Sequence, residues 1–414
     1  MSKGKTRSLA VAILGNLVEF YDYTLYGLLA SELSHHFFPL GAKSWELLQV
    51  FAVFALGSVA KPLGAFIFSK IGDAKGRKFA LRWNMLGIAV PTFLMGIIPG
   101  YAQWGIISTS LLILCRIVQG ILVGGEADGV RIYILEHVGK KRYCFAGSLV
   151  NMTSYFGISG ASFLSGFILS PALPEGSWRY LFMLGGVLGL IVFLLRRYLH
   201  ETEPYLREAK KKLPSISFLK LIKQNKRLLL SFILITGSGG AVYPFIVIFM
   251  NSFLSDVLPI LTPGEGARYA SYAIISYTLC SPIGGYVTDY LPKISMVVIG
   301  KILLFLCTIY LAYQVWSGTV TATAFFLIGI TQGLFSAPIY PIMVERTRIK
   351  ERYRSLSIAH TIGSMLLANT APWMCMLLWR YTHLALMPLI YFSLLISLTW
   401  VGVALLPKAQ VEPQ

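Results

Sequence analysis

The stretch Gly15-Asn16-Leu17-Val18-Glu19-Phe20-Tyr21-Asp22-Tyr23 sets two carboxylates inside the first long apolar segment of the chain. An ionised carboxylate is costly in hydrocarbon, so one retained there faces a bundle interior or a wet cavity and has a functional role by default. Glu19 and Asp22 are three residues apart, which puts them on one face of a helix, with Asn16 and Tyr26 extending the stripe. A buried acid that gains and loses a proton is what a proton-coupled carrier requires.

The elements that must position these acids follow from composition. Of 414 residues, 56% are hydrophobic and only 13% charged, roughly half the charged fraction of a soluble globular protein. The apolar residues come in blocks of about 20, the length that crosses the hydrocarbon core as a helix. The reading is an all-α polytopic membrane protein of twelve transmembrane helices. The expected spans are 10–35, 48–70, 80–99, 104–135, 143–170, 178–198, 228–254, 267–290, 294–314, 319–343, 354–377 and 383–406. A lysine-rich polar stretch with Pro204 and Pro214 separates the sixth span from the seventh. It divides the chain into a six-helix bundle over 1–200, a cytoplasmic linker over 201–227 and a second bundle over 228–414. Residues 216–222 of the linker read as a short helix in the membrane plane.

The net charge of +18 is topological. Lys3, Lys5 and Arg7 precede the first span, and Lys70, Lys75, Arg77, Lys78 and Arg82 follow the second. Lys140, Lys141 and Arg142 follow the fourth, and a basic cluster from Arg196 to Arg227 follows the sixth. Lys293 follows the eighth, and Arg346, Arg348, Lys350, Arg352 and Arg354 follow the tenth. The alternate loops hold Lys43, Arg179, Arg268 and Arg380. This alternation sets both termini in the cytoplasm and removes any need for a nucleic-acid partner. The first apolar segment is too long for a cleavable signal peptide and lacks a small-residue cleavage site. The five cysteines, Cys115, Cys144, Cys280, Cys307 and Cys375, have no C-x-x-C spacing, so neither a disulfide framework nor a metal site is expected. No nucleotide-binding loop or nucleophile–base set is present, which argues against an enzyme or an ATP-driven pump and for a chain without cofactors.

The two halves repeat one another weakly. Gly72-Asp73 with Lys75-Gly76-Arg77-Lys78 follows the second span, and Gly285 through Asp289 ends the eighth. Tyr133-Ile134-Leu135-Glu136 ends the fourth span, and Ile342-Met343-Val344-Glu345 ends the tenth. These motifs together resemble the major facilitator superfamily, whose loop signature appears as Ser69 through Lys78, with Ser69 in place of the first glycine and Ala74 in place of a basic residue. More narrowly, Gly15–Gly27, Lys61-Pro62-Leu63-Gly64, Arg116-Ile117-Val118-Gln119-Gly120 through Gly124-Gly125-Glu126, and Trp178-Arg179 resemble the bacterial metabolite:proton symporter family. The resemblance is dense over residues 10–205 and thinner afterwards. It implies alternating access and transport of proline, betaine, 2-oxoglutarate, citrate, shikimate or related small acids and zwitterions. The sequence departs from the family at Lys61, where arginine is usual, and at Asp128 and Arg131, which either pair with each other or line an altered pocket.

The resemblance also implies a coupling pair, an acid of the first helix facing an arginine of the fourth, here Asp22 and Arg116. Such a pair either exchanges its partner for a proton or anion, or permanently braces two helices. Glu19 either shares the proton or contacts a substrate amine, or else stays a neutral hydrogen-bonded acid. Glu126 lies on the Arg116, Gln119, Val123 stripe, roughly 15 Å along the axis from Arg116, which suits a relay or gate. Lys61, Tyr26 and Gln119 are candidates for substrate contact. Asp73, Arg77, Glu136 and Arg142 are implied to lock one transport state by ion pairs, with Glu345 and Arg352 as a second lock.

The second half reads as nearly free of charge within its spans. Its pocket candidates are Tyr243, Tyr277, Gln332, Tyr340, His360, Asn369 and Trp373. The expected protein is a monomeric secondary transporter of a bacterial inner membrane, coupling a small-molecule solute to protons. The rivals are an uncoupled facilitator or exchanger, and a transporter-like sensor, against which the short ends argue.

Overall fold

The computed structural model describes residues 3–39, 43–65, 67, 77–124, 131, 135, 142–169, 173–199, 225–347 and 349–407. Among them are twelve long helical segments. The first six are α1 (Lys3–Leu28), α2 (Lys43–Ala65), α3 (Arg77–Ile97), α4 (Ile106–Val123), α5 (Tyr143–Ile168) and α6 (Trp178–Tyr198). The last six are α7 (Lys226–Val257), α8 (Pro263–Thr288), α9 (Lys293–Ser317), α10 (Ala322–Glu345), α11 (Ser355–Thr382) and α12 (Met387–Ala404). Eight of these are long and apolar enough to cross a membrane by composition alone. The expected first span breaks at Leu29, after which a short helix runs over Ala30–Phe37. Asp73, Glu126, Asp128, Glu136 and the surface helix at 216–222 lie outside the described residues, as do the side chains of Arg77 and Arg352.

Local chemistry explains several boundaries. Thr262 caps α8: its hydroxyl accepts from the Glu265 N–H, and the Glu265 carboxylate accepts from the Thr262 N–H, with Pro263 at the first helical position. That backbone hydrogen bond, with the Thr262 hydroxyl second, holds the Glu265 carboxyl below its usual range. Gly318, at φ +70°, ends α9 in the left-handed conformation that glycine favours.

Packing makes two six-helix halves. In the first, α3 runs against α6 and α4, α1 against α5 and α6, and α2 against α4. In the second, α8 runs against α10, α7 against α12 and α11, and α9 against α10 and α12. The halves meet where α5 lies along α8 and where α2 meets α11. The approach of α2 to α4 depends on glycine, since a Cβ at Gly120 would collide with the Gly57 carbonyl oxygen and one at Gly124 with that of Lys61. Gly15, from the opening motif, leaves room for the buried Arg196 guanidinium.

Large apolar side chains remain on the outer surface, among them Phe163, Phe167, Leu279, Leu306 and Leu394. Exposed Tyr290, Trp316 and Tyr381 sit at helix ends, where amphipathic rings anchor a membrane protein. Three turns are π-helical: Pro244–Phe249 and Phe253–Val257 in α7, and Ser364–Ala368 in α11.

Candidate functional site: a central cavity and a buried acid

A cavity of about 190 Å³ lies between the halves. The first half contributes Glu19 and Tyr23 from α1, Lys61 from α2, Arg131, and Tyr155 from α5. The second contributes Tyr243, Tyr277, Gln332, Tyr340, His360 and Asn369. Six of the residues singled out as pocket candidates in the second half thus converge on one space. Trp373 does not line it.

Aromatic rings and cations build the walls together. The Lys61 ammonium lies 4.6 Å from the Tyr23 ring centroid, and the Arg131 guanidinium 4.6 Å from that of Tyr340. Arg131 also donates to the Tyr340 hydroxyl at 2.7 Å, tying the end of the fourth span to α10. Tyr155 stacks on Tyr277 across the interface at 3.7 Å. The Tyr23 hydroxyl donates to Asn369 Oδ1, a second polar bridge between the halves. His360 meets the edge of Tyr340 at 5.8 Å.

A side pocket of about 20 Å³ shares Glu19, Tyr23, Lys61 and Val123 with the central cavity and reaches Asp22, Arg116 and Gln119. Asp22 and Arg116 are 2% and 4% exposed. They do not form the direct ion pair that the family resemblance implied. The Arg116 guanidinium is 4.2 Å from the Tyr26 ring centroid and 5.5 Å from that of Phe54, and it donates to Gln119 Oε1 at 3.0 Å. Gln119 Nε2 donates to the Thr92 hydroxyl at 2.6 Å, which lies 3.4 Å from Asp22 Oδ2. Asp22 Oδ1 has no hydrogen-bond partner among the described residues and lies against Gly185.

Thr92 is therefore the junction. Its single proton has two acceptors within reach, the Ile88 carbonyl at 2.9 Å and Asp22. It donates to Asp22 when the carboxylate is ionised. A protonated Asp22 would instead be able to donate to that hydroxyl, leaving the Thr92 proton for Ile88.

Two expected substrate contacts sit elsewhere. Tyr26 is fully buried behind the site; its hydroxyl donates to the Val50 carbonyl and its ring carries Arg116. Gln119 lines the side pocket rather than the central cavity. Thr92 was not among the expected residues, and one buried charge was missed as well. Lys301, in the middle of α9, is 4% exposed, so the second half is not free of buried charge. The rule that flagged Glu19 and Asp22, an ionisable group inside an apolar span, finds it in the sequence as well.

Contacts join the halves on both sides of the cavity. On the face that carries the chain ends, Asp289 of the α8 terminus accepts from the N–H groups of Cys144 and Phe145 at 2.8 and 3.2 Å, capping α5 of the other half. Within the second half Glu345 pairs with Lys293, while the side chain of Arg352, the expected partner, lies outside the described residues. On the opposite face, Ser31 donates to Asp256 at 3.3 Å, Arg380 to Ser44 at 3.0 Å, and Phe51 packs on Phe249.

The family model for the Major Facilitator Superfamily matches residues 12–347. The Proline/betaine transporter of Salmonella typhimurium is 28% identical over 95% of this chain and 81% of its own length. The inner membrane metabolite transport protein YhjE of Escherichia coli is 27% identical over 97% of this chain and 94% of its own. The Alpha-ketoglutarate permease of Escherichia coli is 30% identical over 66% of this chain and 64% of its own. Among solved structures, a D-xylose-proton symporter superposes with a TM-score of 0.74 at 14% identity, covering 98% of each chain.

Proposed function

From the premise that the chain belongs to the Major Facilitator Superfamily and is a secondary transporter, we propose that it moves a small organic acid or zwitterion together with protons by alternating access. The observation that carries this reading is the connection between a central cavity rimmed by Glu19, Lys61 and Arg131 and a buried acid, Asp22, beside it. The solute binds in the cavity. Asp22 takes and releases the proton, and Thr92 and Gln119 carry the change to Arg116. Movement between states breaks one set of inter-half contacts at a time: Asp289 with the α5 start on one face, Ser31 with Asp256 and Arg380 with Ser44 on the other.

The chain ends are assigned to the cytoplasmic side of a bacterial inner membrane, because Arg142, Arg196, Arg197, Lys226, Arg227 and Lys293 gather on that face. The bundles 1–200 and 228–414, joined by 201–227, are the units that rock, and one chain suffices for transport. Asp73, Arg77, Glu136 and Arg142 keep the gating role that the family pattern implies, Glu345 and Arg352 that of a second lock, and Glu126 the relay or gating role that its helical stripe suggests.

Reconstituted into proteoliposomes, the protein is expected to accumulate 2-oxoglutarate, citrate, proline or glycine betaine when the pH gradient is imposed inward. Uptake that is indifferent to the gradient would establish the rival, an uncoupled facilitator. A second test addresses the relay. Thr92→Val keeps the shape and removes the hydroxyl, so accumulation is expected to drop about five- to ten-fold, the cost of one buried hydrogen bond, with exchange preserved. Unchanged accumulation in that variant would remove Thr92 from the pathway.

A further inference from the structure

We propose that the Lys301 ammonium is the carboxylate-binding cation of the second half, reaching the central cavity through the wall made by Gln332 and Gly239, and that it selects solutes with a second negative charge. The proposal rests on the reading of the central cavity as the solute site.

Lys301 lies eight residues into α9, roughly 12 Å along the axis from Lys293, and is almost fully buried. Its Nζ donates to Gln332 Oε1 at 3.4 Å, and among the described residues no carboxylate lies within ion-pair distance. An ammonium has three protons to place, and one long bond to a neutral amide is poor compensation for a charge removed from water. A methionine or leucine would fill the same space at far lower cost. A buried charge kept without a resident counter-ion is what a transient counter-ion would require.

The surroundings show where that counter-ion would enter. Gln332 and Gly239 both line the central cavity. Gln332 Nε2 donates to the Gly239 carbonyl at 3.1 Å while its Oε1 faces Lys301, so one side-chain amide closes the gap between ammonium and cavity. Gly239 has no side chain to thicken the wall, and a Cβ built there would stand 3.9 Å from Nζ. Rotation of the Gln332 amide releases Nζ to a solute carboxylate, which takes the place of Oε1.

The charge of the cavity favours the same class. Several ring faces that could box a quaternary ammonium are occupied: Lys61 covers Tyr23, Arg131 covers Tyr340, and Tyr155 and Tyr277 cover each other. Lys61 stands on the first-half wall and Lys301 behind the second-half wall. A solute with two carboxylates meets one cation on each side.

The test is uptake by the full-length protein in proteoliposomes, with radiolabelled 2-oxoglutarate, citrate, proline and glycine betaine as probes. The wild type is expected to carry a di- or tricarboxylate. Lys301→Met is expected to raise KM for it on the order of thirty-fold, the effect of removing one partner of a buried charge pair, with little change in Vmax. Lys301→Arg should restore most of the affinity. Gln332→Glu supplies a permanent counter-ion, so it should lose carboxylate affinity while melting no lower than the wild type. That variant decides the matter if Lys301→Met fails to fold. An unchanged KM in both Lys301→Met and Gln332→Glu, or a wild type that carries only proline or betaine, overturns the role of Lys301 and leaves the transporter reading intact. Failure of the wild type to move any of the four probes overturns both.

Discussion

Asp22→Asn is expected to abolish uphill uptake and leave solute exchange running. The substitution keeps the size of a side chain wedged between Thr92 and Gly185, so the change is chemical. A carboxamide cannot gain or lose the proton. It also offers N–H donors to Thr92, which then serves only as acceptor there and keeps its own proton on Ile88. The hydroxyl is held in the orientation that a protonated acid imposes, and the relay to Gln119 and Arg116 no longer switches. A one-unit pH gradient supports about ten-fold accumulation for one proton per solute. In the variant that ratio is expected to collapse to about one, while counterflow into preloaded vesicles continues at a comparable rate. Accumulation above the equilibrium ratio in Asp22→Asn would locate the coupling acid elsewhere, with Glu19 the next residue to change.

The second large effect is mechanical. Gly120→Leu is expected to leave little folded protein and no transport, because the new side chain would enter the backbone of α2 at Gly57. Overpacking a close contact of this kind costs about 3 kcal/mol or more, and here a carbonyl oxygen, which cannot rotate away, is the obstacle. The displacement would also carry Arg116, one turn earlier on α4, away from the Tyr26 ring. The melting temperature of detergent-purified protein measures the effect. Gly160→Leu is the control, since nothing lies within 4 Å of a Cβ at that position of α5. Equal melting of the two variants would contradict the close α2–α4 approach.

Much of this site was legible because membrane spans make charge expensive. Glu19, Asp22, Lys61 and Arg116 stand out in apolar blocks; spacing puts the two acids on one helix face, and the family resemblance implies that Arg116 faces Asp22. Lys301 obeys the same rule, but Ser295–Gly300 and Ile302–Leu306 read as an ordinary span with basic residues at its start, and the lysine passes as part of that edge. Other features are invisible at this level. Thr92 satisfies its own Ile88 carbonyl, as threonines in helices commonly do. Only the packing of α3 on α1 and α4 brings Asp22 and Gln119 to it. Tyr26 shares a helical stripe with Asp22, yet its ring turns to α2 and α4 and supports Arg116 instead of meeting solute. Partners of Glu345 were equally undetermined, because Lys293 and Arg352 are both basic residues near the same helix ends.

The π-helical turns have a genetic consequence. Each holds one residue more than the α-helical turn it replaces, with N–H groups bonding five residues back, as Asn369 does to Ser364 at 2.8 Å and Leu258 to Phe253 at 2.9 Å. A single-codon deletion inside 244–249 or 364–368 therefore converts the wide turn to an α-turn and keeps every later side chain of α7 or α11 in phase. The same deletion in α9 rotates all that follows by about 100°, turning cavity-facing groups toward lipid. Length variation among descendants of this chain is tolerable at those turns, two of which border the cavity at Tyr243, Pro244, Ser364 and Asn369. In-frame deletions recovered under selection for transport should cluster there.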